Sequence, residues 1–233
     1  MKLFDFNKTA PQLKSKGVLR FFGIVYHNFS DLVMLNLMFV LTAAPVFTVG
    51  ASYKALIEVL GRYVKNEGSA PVRSFLKAFR SQFFKSTLYG FFFLLLFTII
   101  AFAGAFYYNL AKQNAFFYYA CTLSIAAIIT LLMMVCYFFP LYTKIEQGFK
   151  ARLVNSFVLV FVGLKESAMY LLTLCICALV VLALFPHSLP LVLAFPFSFT
   201  ALASALAADE KITKIFIQNH RKDSSDDSGH FSP

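Results

Sequence analysis

Tryptophan is missing from this chain, and charge is scarce. Of 233 residues, 14% are Asp, Glu, Lys or Arg, where a water-soluble domain carries about 25%. That deficit excludes an ordinary solvated surface. Catalytic signatures are also lacking: there is no H-E-x-x-H, no G-x-S-x-G, no phosphate-binding glycine loop and no paired carboxylates. Residues 87–108, 116–141, 167–185 and 189–208 hold no Asp, Glu, Lys, Arg or His. Membrane enzymes and proton-coupled carriers keep such groups inside their spans for use, so the expectation is a chain that is not an enzyme. Cysteine is sparse too. Cys121, Cys136, Cys175 and Cys177 have no His or acid beside them, which argues against a metal site and leaves them as small apolar packers. No cofactor is implied.

What the chain does have is apolar bulk. It is 59% hydrophobic, with 30 Phe and 11 Tyr. The four uncharged windows are each near the length of about 20 residues that crosses a hydrocarbon core. The expected fold is all-α, a polytopic membrane helical bundle with four clear spans. The net charge of +10 lies in segments flanking those windows, as the excess of Lys and Arg on the cytoplasmic side requires; nucleic acid is not an expected partner. "NLAKQNA" between the first two spans is bracketed by Tyr107, Tyr108, Tyr118 and Tyr119 and reads as an outer loop. Residues 142–166 carry Lys144, Lys150, Arg152 and Lys165 and read as inner. The start, "MKLFDFNKTAPQLKSKGVLR", has no compact apolar core followed by a cleavage site, so no signal peptide is expected.

Residues 18–66 pose the topological question. Lys54, Arg62, Lys65, Arg73, Lys77, Arg80 and Lys85 mark residues 51–86 as cytoplasmic, and the basic residues before position 21 mark the start likewise. A single crossing between them would separate the two clusters. "PVFTVG" suggests instead a broken or re-entrant helical hairpin. Pro45 lacks an N–H and restricts Ala44, Thr48 can cap a new helix, and Gly50 tolerates backbone angles closed to other residues. Such a turn should pack against the other spans. The competing reading is one crossing starting near Leu32.

One or two interfacial amphipathic helices are also expected. In residues 71–86, Val72, Phe75, Leu76, Phe79 and Phe83 share a face, while Arg73, Lys77 and Arg80, with Lys85 beyond, form a basic stripe for lipid phosphates. Residues 148–164 are the second candidate. Among polar membrane positions, His27 and Asp31 are four apart and could pair on one face, but the default reading is helix-capping or an interfacial location; Asn36 sits in an apolar run. Glu58 and Arg62 suit a surface pair. His187 lies in a turn, and Pro196 should kink the last span. The organisation expected is a basic cytoplasmic leader (1–17), a single membrane domain (18–210) and a disordered cytoplasmic tail (211–233).

Asn36 in an apolar run, "PVFTVGAS" with Pro45, Thr48, Gly50 and Ala51, the basic helix "SFLKAFRSQFFKS", and "FKARLVNSFVLVFVGL" together resemble the YesL-like family. These are small bacterial integral membrane proteins, long a domain of unknown function. The resemblance implies a gene neighbourhood of carbohydrate ABC importers and glycoside hydrolases, and no catalytic residue. It implies a non-enzymatic accessory subunit of a bacterial carbohydrate ABC uptake system in the plasma membrane. Its partners would be the bilayer and the importer's permease or ATPase subunits. The alternative is an autonomous carrier or channel for a neutral solute, with Asn36, Thr42, Thr48, Thr130 and Tyr137 as hydrogen-bonding groups.

Overall fold

The structure, a computed structural model, describes residues 18–67, 70–183 and 195–212. Within them the chain is helical and has no strand. The elements are α1 (Val18–His27), α2 (Phe29–Ala43), a 3₁₀ turn (Val46–Thr48), α3 (Val49–Val64), α4 (Pro71–Arg80), α5 (Phe83–Ala111), α6 (Phe117–Lys144), α7 (Phe149–Val162), α8 (Leu164–Ala183) and α9 (Pro196–Ile212).

Three helices, α5, α6 and α8, are long and apolar enough to cross a membrane, and the bent pair α1–α2 would make a fourth span if counted as one. The chain is a multi-pass membrane protein. The expected span at 189–208 lies partly outside the described residues. Its described part belongs to α9, which begins at Pro196 and is 17 residues long. Ala201 to Ala208 are all buried, and α9 touches α2, α3, α6 and α8. It is the core helix of the bundle, apolar all round because protein covers it. His187 lies outside the described residues, as does most of the expected tail.

The chain turns around at "PVFTVG". Near the far end of the hairpin, Tyr63 of α3 donates a 2.8 Å hydrogen bond to Asp31 of α2. Nearer the turn, the rings of Phe39 and Tyr53 are 6.5 Å apart. Contacts that converge in this way require antiparallel limbs. At 1.5 Å per residue, limbs of 15 and 16 residues reach about 23 Å, short of a ~30 Å core. The entry is not one straight helix from Val18, because α1 and α2 meet at 86° beside Asn28.

The interfacial helix is shorter than expected. Ser81 is extended and Gln82 left-handed (φ 55°), so α4 stops at Arg80 and Lys85 belongs to α5. Pro71 opens α4, as a residue with fixed φ and no N–H should. Part of its apolar face meets protein: Phe75 and Ala78 are fully buried, while Leu76 is exposed, and α4 packs on α2 and α3.

Candidate functional site

The polar groups inside the bundle are concentrated where helices meet, and each can be followed from its backbone upward. At the hairpin turn, Ala44 keeps helical angles (φ −52°, ψ −42°) in spite of Pro45. Thr48 stands at the N-cap position of α3 but caps nothing with its side chain. Its single hydroxyl hydrogen is shared between the carbonyls of Thr42 and Pro45, each 2.6 Å away, which ties the turn to the end of α2. Gly50 is helical; its lack of a side chain matters for approach. A Cβ there would lie 2.5 Å from both the Gly90 Cα and the Ser86 carbonyl oxygen of α5. The two backbones touch, as small residues allow in membrane helices. Thus Thr48 and Gly50 are buried against protein, while Pro45, Val46 and Phe47 are exposed. The turn packs on the bundle by one side only.

Two clasps hold α9. The Asn36 side-chain oxygen accepts the N–H groups of Phe197 and Ser198, both at 3.0 Å, capping the orphan donors of the first turn. Ser198 returns a 2.8 Å bond to the Leu32 carbonyl. Pro196 is therefore the first residue of a capped helix, and the expected kink, which involves the residues before 195, lies outside the described residues. The second clasp depends on the proline inside α6. Pro140 has no N–H for the carbonyl four residues before it, that of Cys136. Ser204 of α9 donates to that carbonyl at 2.7 Å, fully buried. Tyr137, next along α6, donates to the Gly163 carbonyl (3.1 Å) and accepts from Ser167 (3.2 Å), joining α6 to the α7–α8 corner.

One end of the bundle is charged. His27 is exposed at the end of α1, and the bend at Asn28 separates it from Asp31. The two do not pair; Asp31 bonds Tyr63 instead. Burial, and then the Asp31 carboxylate, push the Tyr63 phenol up, so it stays a donor. Glu58 and Arg62 do pair (3.2 Å), but Glu58 also takes Lys54 at 2.6 Å. Lys54 is buried, and its ammonium also donates to the carbonyls of Ala78 and Ser81 at the end of α4. A cation at a helix C-terminus meets its partial negative charge, so Lys54 pins α4 to α3. Asp209 of α9 receives Lys144 (2.8 Å) and Arg20 (3.8 Å). A cleft of about 270 Å³ opens beside them, lined by Glu58, Arg62, Lys65, Glu67 and Lys144. Arg73, Lys77 and Arg80 face outward on α4, and Lys85 is exposed at the start of α5.

Arg152, read from sequence only as an inner-loop cation, is buried at the start of α7. One of its nitrogens donates to the Gln147 carbonyl at 2.7 Å. Its guanidinium carbon lies 4.5 Å from the Tyr142 ring centre and 5.7 Å from those of Tyr89 and Phe138. A cation over three ring faces is held by their quadrupoles, which fastens α7 to α5 and α6.

The hydrogen-bonding groups named for a solute path do not converge. Asn36 caps α9, Tyr137 serves the α7–α8 corner, and Thr42 and Thr130 bond within their own helices. A family model described as a protein of unknown function, DUF624, matches residues 32–103, the domain that YesL-like proteins carry. The match covers α2, the turn, α3, α4 and most of α5, so it includes Asn36, Pro45, Thr48, Gly50 and the basic stripe. It covers less than half of the chain. No curated protein and no solved structure matches the chain.

Proposed function

We propose that this protein is a non-enzymatic accessory subunit of a bacterial carbohydrate ABC importer, assisting its assembly, stability or regulation in the plasma membrane. One observation carries the reading. Seven interior polar residues, Asn36, Thr48, Lys54, Tyr137, Arg152, Ser198 and Ser204, join one element to another, while Arg73, Lys77 and Arg80 stand exposed on α4 with no ion pair among the described residues. A chain that uses its polar chemistry internally and offers cations outside is built to hold a shape and present a surface. The DUF624 match over the hairpin, α4 and α5 supports the family resemblance, and the resemblance supplies the importer as partner. On this reading both ends of the chain are cytoplasmic, and the cationic stripe faces the importer's cytoplasmic side.

The test is to tag the tail, extract the protein gently from its native membrane and identify what co-purifies. Stoichiometric permease or ATPase subunits of a carbohydrate importer are expected. Recovery of the protein alone, monodisperse and able to move a neutral sugar into liposomes, would replace this reading with an autonomous carrier.

A further inference from the structure

Beside the Gly50–Gly90 contact lies a cavity of about 320 Å³, distinct from the charged cleft. Its inner wall includes Phe39, Tyr53, Phe93, Leu131, Phe139 and Tyr170. Its mouth is formed by Val49, Leu94, Phe97 and Phe197, each between 37% and 40% exposed. Phe97 is at the middle of α5, and Leu131 is near the middle of α6. By length, then, the cavity sits near mid-depth in the two longest apolar helices, and its mouth is continuous with their lipid-facing surfaces.

The wall selects its guest. Water needs about 2–4 polar partners to occupy a cavity, and a sugar needs more. The Thr200 hydroxyl is committed to the carbonyls of Pro196 and Phe197, which leaves the buried Tyr53 hydroxyl, without a hydrogen-bond partner among the described residues, as a single polar atom on the wall. Little remains but ring faces and aliphatic carbon. Left vacant, such a space forfeits the dispersion contacts of every atom lining it. The volume is at the lower end of the ~300–1,000 Å³ typical of small-molecule pockets. The substance in contact with the mouth, at very high concentration, is hydrocarbon. We propose that this cavity holds one acyl chain of a bilayer phospholipid, wedged between the hairpin and α5, α6 and α8. The chain completes the packing beside the glycine contact, where side chains leave a gap. This inference is independent of the importer reading, since its test involves no partner.

The full-length protein, purified in mild detergent and measured by native mass spectrometry, should retain one phospholipid per chain. Leu94→Trp, which fills the mouth, should lower that retention severalfold; Leu95→Trp, on the neighbouring lipid-facing position outside the cavity, should leave it unchanged. Should Leu94→Trp fail to fold, Val135→Phe in the wall gives the same readout. A phospholipid bearing a photoreactive diazirine at its chain end should mark Phe93, Leu131 or Val135. No retained lipid, equal retention in the mouth and surface variants, or labelling confined to outer residues such as Leu95 and Leu123 would overturn the proposal.

Discussion

Pro140 and Ser204 show most plainly how single residues hold this bundle. The proline withholds an N–H from the Cys136 carbonyl, and the serine restores a donor from another helix. Ser204→Ala should leave a buried carbonyl without that donor and cost about 1–3 kcal/mol. In a Pro140→Ala background, where the backbone N–H returns, the same change should cost roughly 1 kcal/mol less. Thermal unfolding in detergent, followed by circular dichroism over the four proteins of the cycle, measures the difference. Equal cost in both backgrounds would mean that Ser204 does not compensate for the proline. The glycines of α3 provide a second comparison. Gly50→Ala places a Cβ against the backbone of Gly90 and Ser86 and should separate α3 from α5, whereas Gly61 has open space around its missing Cβ. Gly61→Ala should therefore be tolerated, or stabilise by up to about 1 kcal/mol through helix propensity. At this scale the sequence was half legible. Asn36, Thr48 and Gly50 stood out as unusual in an apolar run, but Thr48 had been expected to cap α3 and Gly50 to supply backbone freedom. Thr48 ties the turn to α2, and Gly50 supplies proximity.

At the scale of elements, α5, α6 and α8 were readable because an uncharged run long enough to span lipid is a local property of the chain. The hairpin was readable only as one of two alternatives, since a turn and a kinked crossing share the same proline and glycine. Cysteines introduced at Ser15 and Ser69 in a background lacking the four native ones should react with an impermeant label from the same side of the membrane. Labelling from opposite sides would contradict the antiparallel limbs. The docking of α4 rests on Lys54, which no local pattern distinguishes from the other lysines of its segment. Glu58→Gln should weaken the ammonium's charge-assisted bond and cost about 1–3 kcal/mol. The loss should appear first as faster proteolysis at the α3–α4 and α4–α5 connections, where local opening begins. Unchanged proteolysis and unfolding would show that the two carbonyls at the end of α4 hold Lys54 unaided.

For the whole molecule, the prediction concerns the surface left over once the interior is accounted for. Reversing charge at Arg73, Lys77 and Arg80 together should leave helix content and thermal stability near those of the unaltered protein, because these side chains touch little. On the proposed importer reading, recovery of importer subunits with the tagged protein should fall several-fold. Normal recovery would move the contact surface elsewhere on the bundle, and the charged cleft beside Lys144 would be the next region to alter.

By itself the sequence determined the membrane class, the three long apolar helices, the break at residues 44–50 and the amphipathic character of α4. Composition and short-range periodicity act through neighbouring residues, so each of these features is written locally. Only the tertiary structure decided that the last apolar stretch contributes the core helix, that Asn36 caps it across 161 residues of chain, and that Lys54 and Arg152 are buried. An apolar helix reads the same whether lipid or protein surrounds it. A buried cation becomes stable only when carbonyls, a carboxylate or ring faces arrive from distant segments to replace its water.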